Sequence, residues 1–413
     1  MRVMPLMIRT TPQSQAAKKT AGIFFCSFLF ACFLFWWIPS VLFRLQKADD
    51  PITAWTLCIS ALGIGAFAVG FFPLPVRFRR ELSDAVMDNC EKLAWLATTW
   101  MSFPAIVVAL RFFLYRAGVE YGQGEGLTLV DQAILYSQMF FGFMFLGTAR
   151  GKNNGRRKVI VVSILVILPR LIISLHWGRF FLAQAIVPIL FISLARGWIH
   201  MTAKRWIQTA ALAIVILFVP ALTRGDQFFA QVELIRFFAA GSSLRLFQDN
   251  EQLNLAGRCP PLLVSMTAKI FPYAAFGICT VDLWGRTGMP ATLDRILAYN
   301  DPSTEGTLQG PGANYLLELY LSGGIPAVIA GSLAFGFTNR CFVDWISRRT
   351  VFSGIWAECL SRSLFAPRNT LGYVYERIPS LILVTLLVVV VTVAARSRPG
   401  LPVTSRGSCL ERP

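Results

Sequence analysis

The sequence contains few charged residues and almost no histidine. Only 15% of its 413 residues are charged, whereas about a quarter are charged in a typical soluble domain. The two histidines, His176 and His200, are too few for a multi-histidine metal centre. The nine cysteines show no CxxC spacing and no Cys/His cluster, which argues against a zinc site. P-loop, GxSxG and HExxH motifs are also missing, so nothing supports a nucleotide site or these hydrolase classes.

Apolar residues are abundant instead. Hydrophobic residues make up 55% of the chain, with 34 Phe and 11 Trp, and the mean hydropathy is +0.57. This composition predicts an all-α polytopic membrane protein with about ten spans of roughly 20 residues each. The first span is long and lacks a small-residue cleavage site after it, so we expect an uncleaved signal anchor. The predicted spans are 21–43, 52–74, 93–115, 133–149, 159–175, 180–195, 207–223, 313–337, 351–366 and 378–395.

The positive charge is distributed as in a membrane protein. The net charge is +17, and 23 of the 39 Lys and Arg residues lie in segments that are cytoplasmic if both termini are inside. The clearest example is the run Arg150–Lys158 between two predicted spans. This asymmetry follows the positive-inside rule. Nucleic-acid binding is the weaker interpretation, because a short basic loop between spans is an ordinary topogenic signal.

The pattern divides the chain into four regions: an N-terminal bundle of about seven spans, 1–223; a large extracytoplasmic loop, 224–312; C-terminal membrane helices, 313–395; and a disordered basic tail, 396–413. The large loop mixes charges with apolar patches, which predicts a folded loop with helices at the membrane interface. A re-entrant pair near 261–284 and a disulfide between Cys259 and Cys279 stay open as alternatives.

Arginines on the outer side are the first candidates for function. Arg170 and Arg179 flank His176 at the ends of two predicted spans, and Arg236 and Arg245 flank a Gly-Ser-Ser turn in the large loop. An arginine at membrane depth suggests function if it faces a polar cavity, and arginine binds phosphate oxygens bidentately. Snorkelling to the interface is the competing interpretation for each residue.

The late spans carry the second group of candidates. Asn314 and Glu318 lie one helical turn apart, followed by Gly323-Gly324 and Pro326, which predict a broken helix that lines a cavity. A helix cap is the alternative for Asn314, and an interfacial position is the alternative for Glu318. Further arginines follow at positions 362, 368 and 377, so we expect arginines from four outer segments to converge on one site.

This arrangement resembles the O-antigen polymerases, the Wzy-type oligosaccharide repeat unit polymerases. The resemblance rests on Gly178-Arg179 at the start of a span, the long outer loop, and GANYLLELYLSGGIPAVIAGSLAFGF at 312–337. It implies a GT-C-like polymerase and ligase architecture in a bacterial inner membrane. The related O-antigen ligases usually carry a His-Asn pair at the start of this motif, whereas Ala313 precedes Asn314 here, which favours a polymerase.

The resemblance implies a metal-independent glycosyltransferase without cofactors. It would join undecaprenyl-diphosphate-linked repeat units into O-antigen, exopolysaccharide or capsule chains. The expected partners are the lipid-linked glycan, membrane lipid, a chain-length regulator and a flippase, without nucleic acid. We expect Arg170, Arg179, Arg236, Arg245 and Arg368 to bind the diphosphate, Asn314 to bind glycan, and Glu318, His176 or Asp294 to be the catalytic base. The alternatives are an O-antigen ligase on the same scaffold and a non-enzymatic glycan transporter.

Overall fold

The chain is mainly helical in the computed structural model. The described residues are 12–37, 54–72, 83–116, 127–150, 153–175, 180–199, 202, 208, 261–267, 276–283, 286–290, 314–375 and 377–396. The helices are α1 Pro12–Cys32, α2 Ala54–Phe71, α3 Asp84–Arg116, α4 Leu129–Thr148, α5 Asn153–Ser174, α6 Phe180–Ala195, α7 Pro261–Thr267, α8 Tyr315–Ile346, α9 Ser353–Ser363, α10 Leu371–Tyr375 and α11 Ile378–Arg396. A π-helical turn, Phe33–Trp37, extends α1, and a 3-10 turn, Ala366–Arg368, follows α9.

Three of the described helices are long and apolar enough to cross a membrane. They are Asp84–Tyr115 in α3, all of α4, and all of α8. Shorter apolar helices occur at Leu57–Phe71, Phe181–Ala195 and Leu381–Ala394. These lengths and compositions indicate a helical membrane protein. The predicted span 207–223, apart from residue 208, and the predicted tail from 397 lie outside the described residues.

The surface of α3 supports this assignment. Trp100, Phe103 and Leu114 are 77%, 76% and 71% exposed. Large apolar side chains in such numbers on one helix mark a surface that contacts lipid or a partner rather than water.

Glycines allow α2 and α8 to pack with their backbones close together. A Cβ atom at Gly70 would lie 2.0 Å from the carbonyl oxygen of Leu333, and one at Gly336 would lie 2.1 Å from that of Phe67. Any larger residue at either position would therefore separate the two helices. Close packing through small residues is the usual way in which membrane helices associate.

An aromatic core surrounds this contact and ties α1 to the end of the chain. The rings of Phe28 and Phe67 stack at a centroid distance of 4.1 Å, and Phe335 packs on Tyr315 at 5.2 Å. The buried Trp36 donates a 2.8 Å hydrogen bond from Nε1 to the carbonyl oxygen of Pro367. The 3-10 turn after α9 is thereby fixed against the N-terminal helix.

The predicted break in α8 is confirmed. Gly323 and Gly324 have non-helical backbone angles, and the φ of +66° with ψ of −154° at Gly324 belongs to a region that only glycine adopts readily. Pro326, two residues after Gly324, has no backbone N–H to donate. α8 is therefore a short helix that begins at Tyr315, a break, and a long helix that ends at Ile346.

The segment 351–366, predicted as a span, differs from that prediction. Its helix, α9, has only 11 residues, which extend about 16 Å, whereas the hydrocarbon core of a bilayer is about 30 Å thick. The chain then bends through the 3-10 turn into the five-residue α10. The segment departs from a membrane span because it carries two charged residues, Glu358 and Arg362, that are buried within α9. It therefore packs inside the protein rather than against lipid.

The described part of the large loop contains both a helix and a hairpin. α7 docks beside the break in α8, where the backbone N–H of Leu262 donates a 3.1 Å hydrogen bond to Ser322 Oγ. An antiparallel pair, β1 Thr280–Leu283 and β2 Arg286–Pro290, follows. This part of the predicted loop is ordered, and the hairpin is a short departure from a chain that is otherwise helical in its described residues. Cys279 is disulfide-bonded, and the expected partner Cys259 lies outside the described residues.

Candidate functional site

The helix α9 carries a buried ion pair between Arg362 and Glu358, one turn apart. Nη2 and Nε of Arg362 lie 3.1 Å and 3.2 Å from Oε1 of Glu358, and the two side chains are only 1% and 6% exposed. Nη1 of Arg362 donates a 2.8 Å hydrogen bond to the carbonyl oxygen of Tyr373 in α10. The Tyr373 ring also lies 4.8 Å from the guanidinium carbon. Arg362 is therefore held from several sides.

A second arginine approaches the same carboxylate from the start of α11. Nη1 of Arg377 lies 3.8 Å from Oε1 of Glu358. Nη2 of Arg377 donates a 2.6 Å hydrogen bond to the hydroxyl of Tyr136 on α4, and its guanidinium carbon lies 3.9 Å from the centroid of that ring. Glu358 thus lies between two guanidinium groups, and each guanidinium group contacts the face of a tyrosine ring.

Arg170 on α5 is the third arginine of this region. It is 3% exposed, and its Nη1 donates a 2.7 Å hydrogen bond to Oε1 of Gln138. The Gln138 amide in turn donates to Ser102 Oγ at 3.2 Å. Nη2 of Arg170 also donates a hydrogen bond to the carbonyl oxygen of Leu135, the residue before Tyr136. We call Arg170, Arg362 and Arg377, with Glu358, Tyr136 and Tyr373, the arginine cluster.

The arginine cluster has the chemistry of an anion site. Arg170 and Arg362 are buried and Arg377 is partly buried; placing guanidinium groups inside an apolar bundle is costly, so such residues usually serve a function. Each guanidinium can offer a pair of N–H donors to a phosphate oxygen pair. Because the Tyr373 carbonyl and ring fix Arg362, and the Tyr136 hydroxyl and ring fix Arg377, little side-chain freedom is lost when an anion binds.

Glu318 lies next to the cluster. It is fully buried, and its Oε2 accepts a 2.6 Å hydrogen bond from the backbone N–H of Leu371, the first residue of α10. One carboxylate oxygen of Glu318 thus holds α10, and the expectation that Glu318 lines a polar groove stays a prediction. Since α10 carries Tyr373, Glu318 is a positioning residue for the arginine cluster.

Asn314 is also buried, and it caps α8. Its side-chain oxygen accepts a 2.8 Å hydrogen bond from the backbone N–H of Leu317. This is the alternative that the sequence left open, and it satisfies one of the free donors at the helix start. The prediction that Asn314 binds glycan stays a prediction.

Of the predicted diphosphate-binding arginines, the structure places Arg170 in the cluster. Arg368 ends the 3-10 turn between α9 and α10, where only its backbone is described. The other predicted site residues lie outside the described residues: His176, Arg179, Arg236, Arg245 and Asp294. Their roles stay predictions.

Sequence reasoning missed several residues of the cluster. Glu358 and both tyrosines were overlooked, although Glu358 and Arg362 stand at the i,i+4 spacing of a helical ion pair within an otherwise apolar stretch. That spacing could have identified the pair. Tyr136 and Tyr373 carried no comparable signal, because a tyrosine in an apolar segment is most often an ordinary packing residue.

A second polar network lies at the opposite end of α8, on the side that the charge pattern predicts to be cytoplasmic. Arg349 forms ion pairs with Asp84, Asp88 and Glu91 at 3.2, 2.5 and 3.2 Å, and its Nε donates to the carbonyl oxygen of Thr148 at 2.5 Å. This single arginine joins α3 and α4 to the end of α8. The contacts are structural.

Arg196, the residue after α6, lies at the same end of the helix bundle. Its guanidinium donates to the carbonyl oxygen of Gly147. Burial, and then the nearby charge of Arg349, lowers the pKa of Arg196 to about 10. Arg196 therefore keeps its charge at neutral pH and stabilises the end of α4.

Among the described residues, no group of three His, Cys, Asp or Glu side chains could hold a metal ion. Comparison of the chain with protein-family models, with curated proteins and with solved structures finds no match. The geometry of the arginine cluster therefore carries the functional argument.

Proposed function

We propose that the protein is an integral membrane glycan polymerase that joins oligosaccharide units carried on a polyprenyl diphosphate. The convergence of the buried Arg170 and Arg362 with the partly buried Arg377 is the observation that carries this proposal. A diphosphate linked to a lipid is an anion that reaches a site inside a membrane bundle, because its chain lies in the bilayer. The resemblance of 312–337 to the polymerase motif points to the same substrate.

The chemistry needs positive charge at the leaving group. A hydroxyl oxygen of the incoming unit attacks the anomeric carbon of the growing chain, and the bond from that carbon to the diphosphate oxygen breaks. The leaving diphosphate gains negative charge, which fixed guanidinium groups stabilise. Arg170, Arg362 and Arg377 would take this role, and Arg179, Arg236, Arg245 and Arg368 would extend it from the outer segments.

The proton of the attacking hydroxyl needs an acceptor. The carboxylate of Glu318 already accepts a hydrogen bond from the first residue of α10. His176 and Asp294 are therefore the better candidates among the predicted bases. Both belong to segments next to the outer ends of membrane helices in the predicted topology. Glu318 then acts through α10, by holding Tyr373 against Arg362.

The proposed architecture has about ten spans, a GT-C-like arrangement and both termini in the cytoplasm of a bacterial inner membrane. Two observations support this orientation. The Arg349 network belongs to the segments rich in Lys and Arg, which stay in the cytoplasm. The disulfide at Cys279 belongs to the large loop, and disulfides persist outside the cytoplasm. A flippase and a chain-length regulator would be the partners.

The test is the surface polysaccharide profile of a strain in which this gene is deleted. We expect the long-chain ladder to disappear while a single attached repeat unit remains, and the wild-type gene to restore the ladder. Arg377→Ala is expected not to restore it. Arg150→Ala, at the far end of the bundle and 50% exposed, is the matched control and is expected to restore it. Membrane levels of each variant are measured by immunoblot.

The other outcomes separate the competing functions. Loss of all attached glycan with long lipid-linked chains accumulating would identify a ligase. An unchanged profile would exclude both enzymes and favour transport.

A further inference from the structure

We propose that Glu358 is an exchangeable counter-ion, which occupies the anion position between Arg362 and Arg377 until the substrate diphosphate replaces it. This inference rests on the proposed function, because it takes a diphosphate as the ligand of the arginine cluster. It adds a residue that controls how strongly, and how selectively, that ligand binds.

The position of Glu358 is the first support. Its Oε1 lies 3.1 Å from Arg362 Nη2 and 3.8 Å from Arg377 Nη1. One carboxylate oxygen thus contacts two guanidinium groups that come from different helices. A phosphate oxygen placed there would make the same two contacts, because carboxylate and phosphate oxygens present similar acceptors to arginine.

The anchoring of the two arginines is the second support. Arg362 is held by the Tyr373 carbonyl and ring, and Arg377 is held by the Tyr136 hydroxyl and ring. None of these contacts involves Glu358. The guanidinium groups can therefore keep their positions when the carboxylate moves away, which is what an exchange of counter-ions requires.

Space next to the carboxylate is the third support. Glu358 borders a cavity of about 10 Å³, which is also lined by Gly354, Ile355 and Leu381. This is room for about one water molecule. This space gives the carboxylate room for a small displacement when it leaves the arginines.

The exchange would make the site selective for multiply charged anions. An incoming anion must compete with a carboxylate that is attached to the same helix and is always present. A singly charged anion gains little by this replacement, whereas a diphosphate brings more charge and more acceptor oxygens. Glu358 would thus protect the arginines from chloride and other small anions while the site awaits its lipid-linked substrate.

The test compares the purified full-length protein with its Glu358→Gln variant in lipid nanodiscs. Inorganic pyrophosphate and inorganic phosphate are titrated by calorimetry at constant ionic strength. We expect the variant to bind pyrophosphate about tenfold more tightly, since a competing close charge is removed, and to bind phosphate measurably where the wild type does not. Glu91→Gln is the matched control: it makes the same change in an ion pair with Arg349, and its affinities are expected to equal those of the wild type.

Weaker or unchanged pyrophosphate binding by Glu358→Gln, with clear binding by the wild type, would overturn the exchange and make Glu358 a fixed structural partner. If neither protein binds pyrophosphate or a short-chain isoprenyl diphosphate, the arginine cluster is not a diphosphate site. That result would overturn both the proposed function of the cluster and the exchange of counter-ions. If Glu358→Gln does not fold, Glu358→Asp provides the comparison. Its shorter side chain withdraws the carboxylate, so tighter binding than the wild type supports the exchange and weaker binding contradicts it.

Discussion

Glu318 accepts a 2.6 Å hydrogen bond from the backbone N–H of Leu371, 53 residues later in the chain. This contact joins the first part of the broken helix α8 to the short helix α10. Because Tyr373 of α10 accepts a hydrogen bond from Arg362, the carboxylate of Glu318 indirectly sets the position of the arginine cluster. The contact suggests a way to distinguish positioning from base catalysis.

Replacement of Glu318 by Gln is expected to preserve most of the polysaccharide ladder, because the amide oxygen can still accept from Leu371. Glu318→Ala is expected to abolish the ladder and to lower stability by roughly 1–3 kcal/mol, since the buried Leu371 N–H loses its acceptor. Stability is measured by thermal unfolding in detergent. A stable Glu318→Gln protein that makes no ladder would instead identify Glu318 as the base.

The break in α8 should not tolerate a side chain at Gly324. Gly324→Ala is expected to destabilise the protein by roughly 1–3 kcal/mol, because the backbone there occupies a region that only glycine adopts readily. Gly22→Ala in α1 is the control: nothing lies within 4 Å of the added methyl group, so no loss is expected. Equal melting temperatures for both variants would show that the break is not needed.

The close contact between α2 and α8 gives a third prediction. Gly336→Ala is expected to lower stability by about 1–3 kcal/mol, because the added Cβ would lie 2.1 Å from the carbonyl oxygen of Phe67. Gly65→Ala places the same methyl group on α2 with nothing within 4 Å. Thermal unfolding of the two variants should therefore differ by several degrees, and a Gly336→Ala protein as stable as Gly65→Ala would refute the close packing.

Arg349 and Arg150 should differ in their contribution to stability. Arg349 is 17% exposed and has three acidic partners, whereas Arg150 is 50% exposed and pairs with Asp88. Arg349→Met is expected to cost about 2 kcal/mol, with allowance for partial exposure, and Arg150→Met under about 1 kcal/mol. Unfolding at low and high salt checks this, since screening should weaken the exposed Arg150 pair more. The reverse order would contradict the structural role of Arg349.

Tyr136 provides a test of how Arg377 is held. Tyr136→Phe keeps the ring beneath the guanidinium and removes one hydrogen bond, so a loss of about 1 kcal/mol is expected. Tyr136→Leu also removes the aromatic face and is expected to cost about 1–2 kcal/mol more. Pyrophosphate affinity should fall in the same order. If the Leu variant bound as well as the wild type, the tyrosine would not preorganise the site.

Several features followed from the sequence because they depend on local chemistry. Apolar runs of span length indicated a membrane protein, since a bilayer requires such lengths. The Gly323-Gly324 pair and the nearby Pro326 predicted the break in α8, because only glycine readily adopts the backbone angles at Gly324. The cap role of Asn314 was also available as an alternative, since a helix start needs an acceptor for its free N–H groups.

Other features depended on contacts between distant segments, which only the tertiary structure decided. The pairing of Glu318 with Leu371 and the placement of Arg377 on Tyr136 join residues 53 and 241 positions apart, and no local pattern encodes them. Segment 351–366 had the composition of a span, yet it forms a short helix because Glu358 and Arg362 find partners inside the bundle. The sequence therefore determined the membrane character and the helix break, whereas packing decided which charged groups meet.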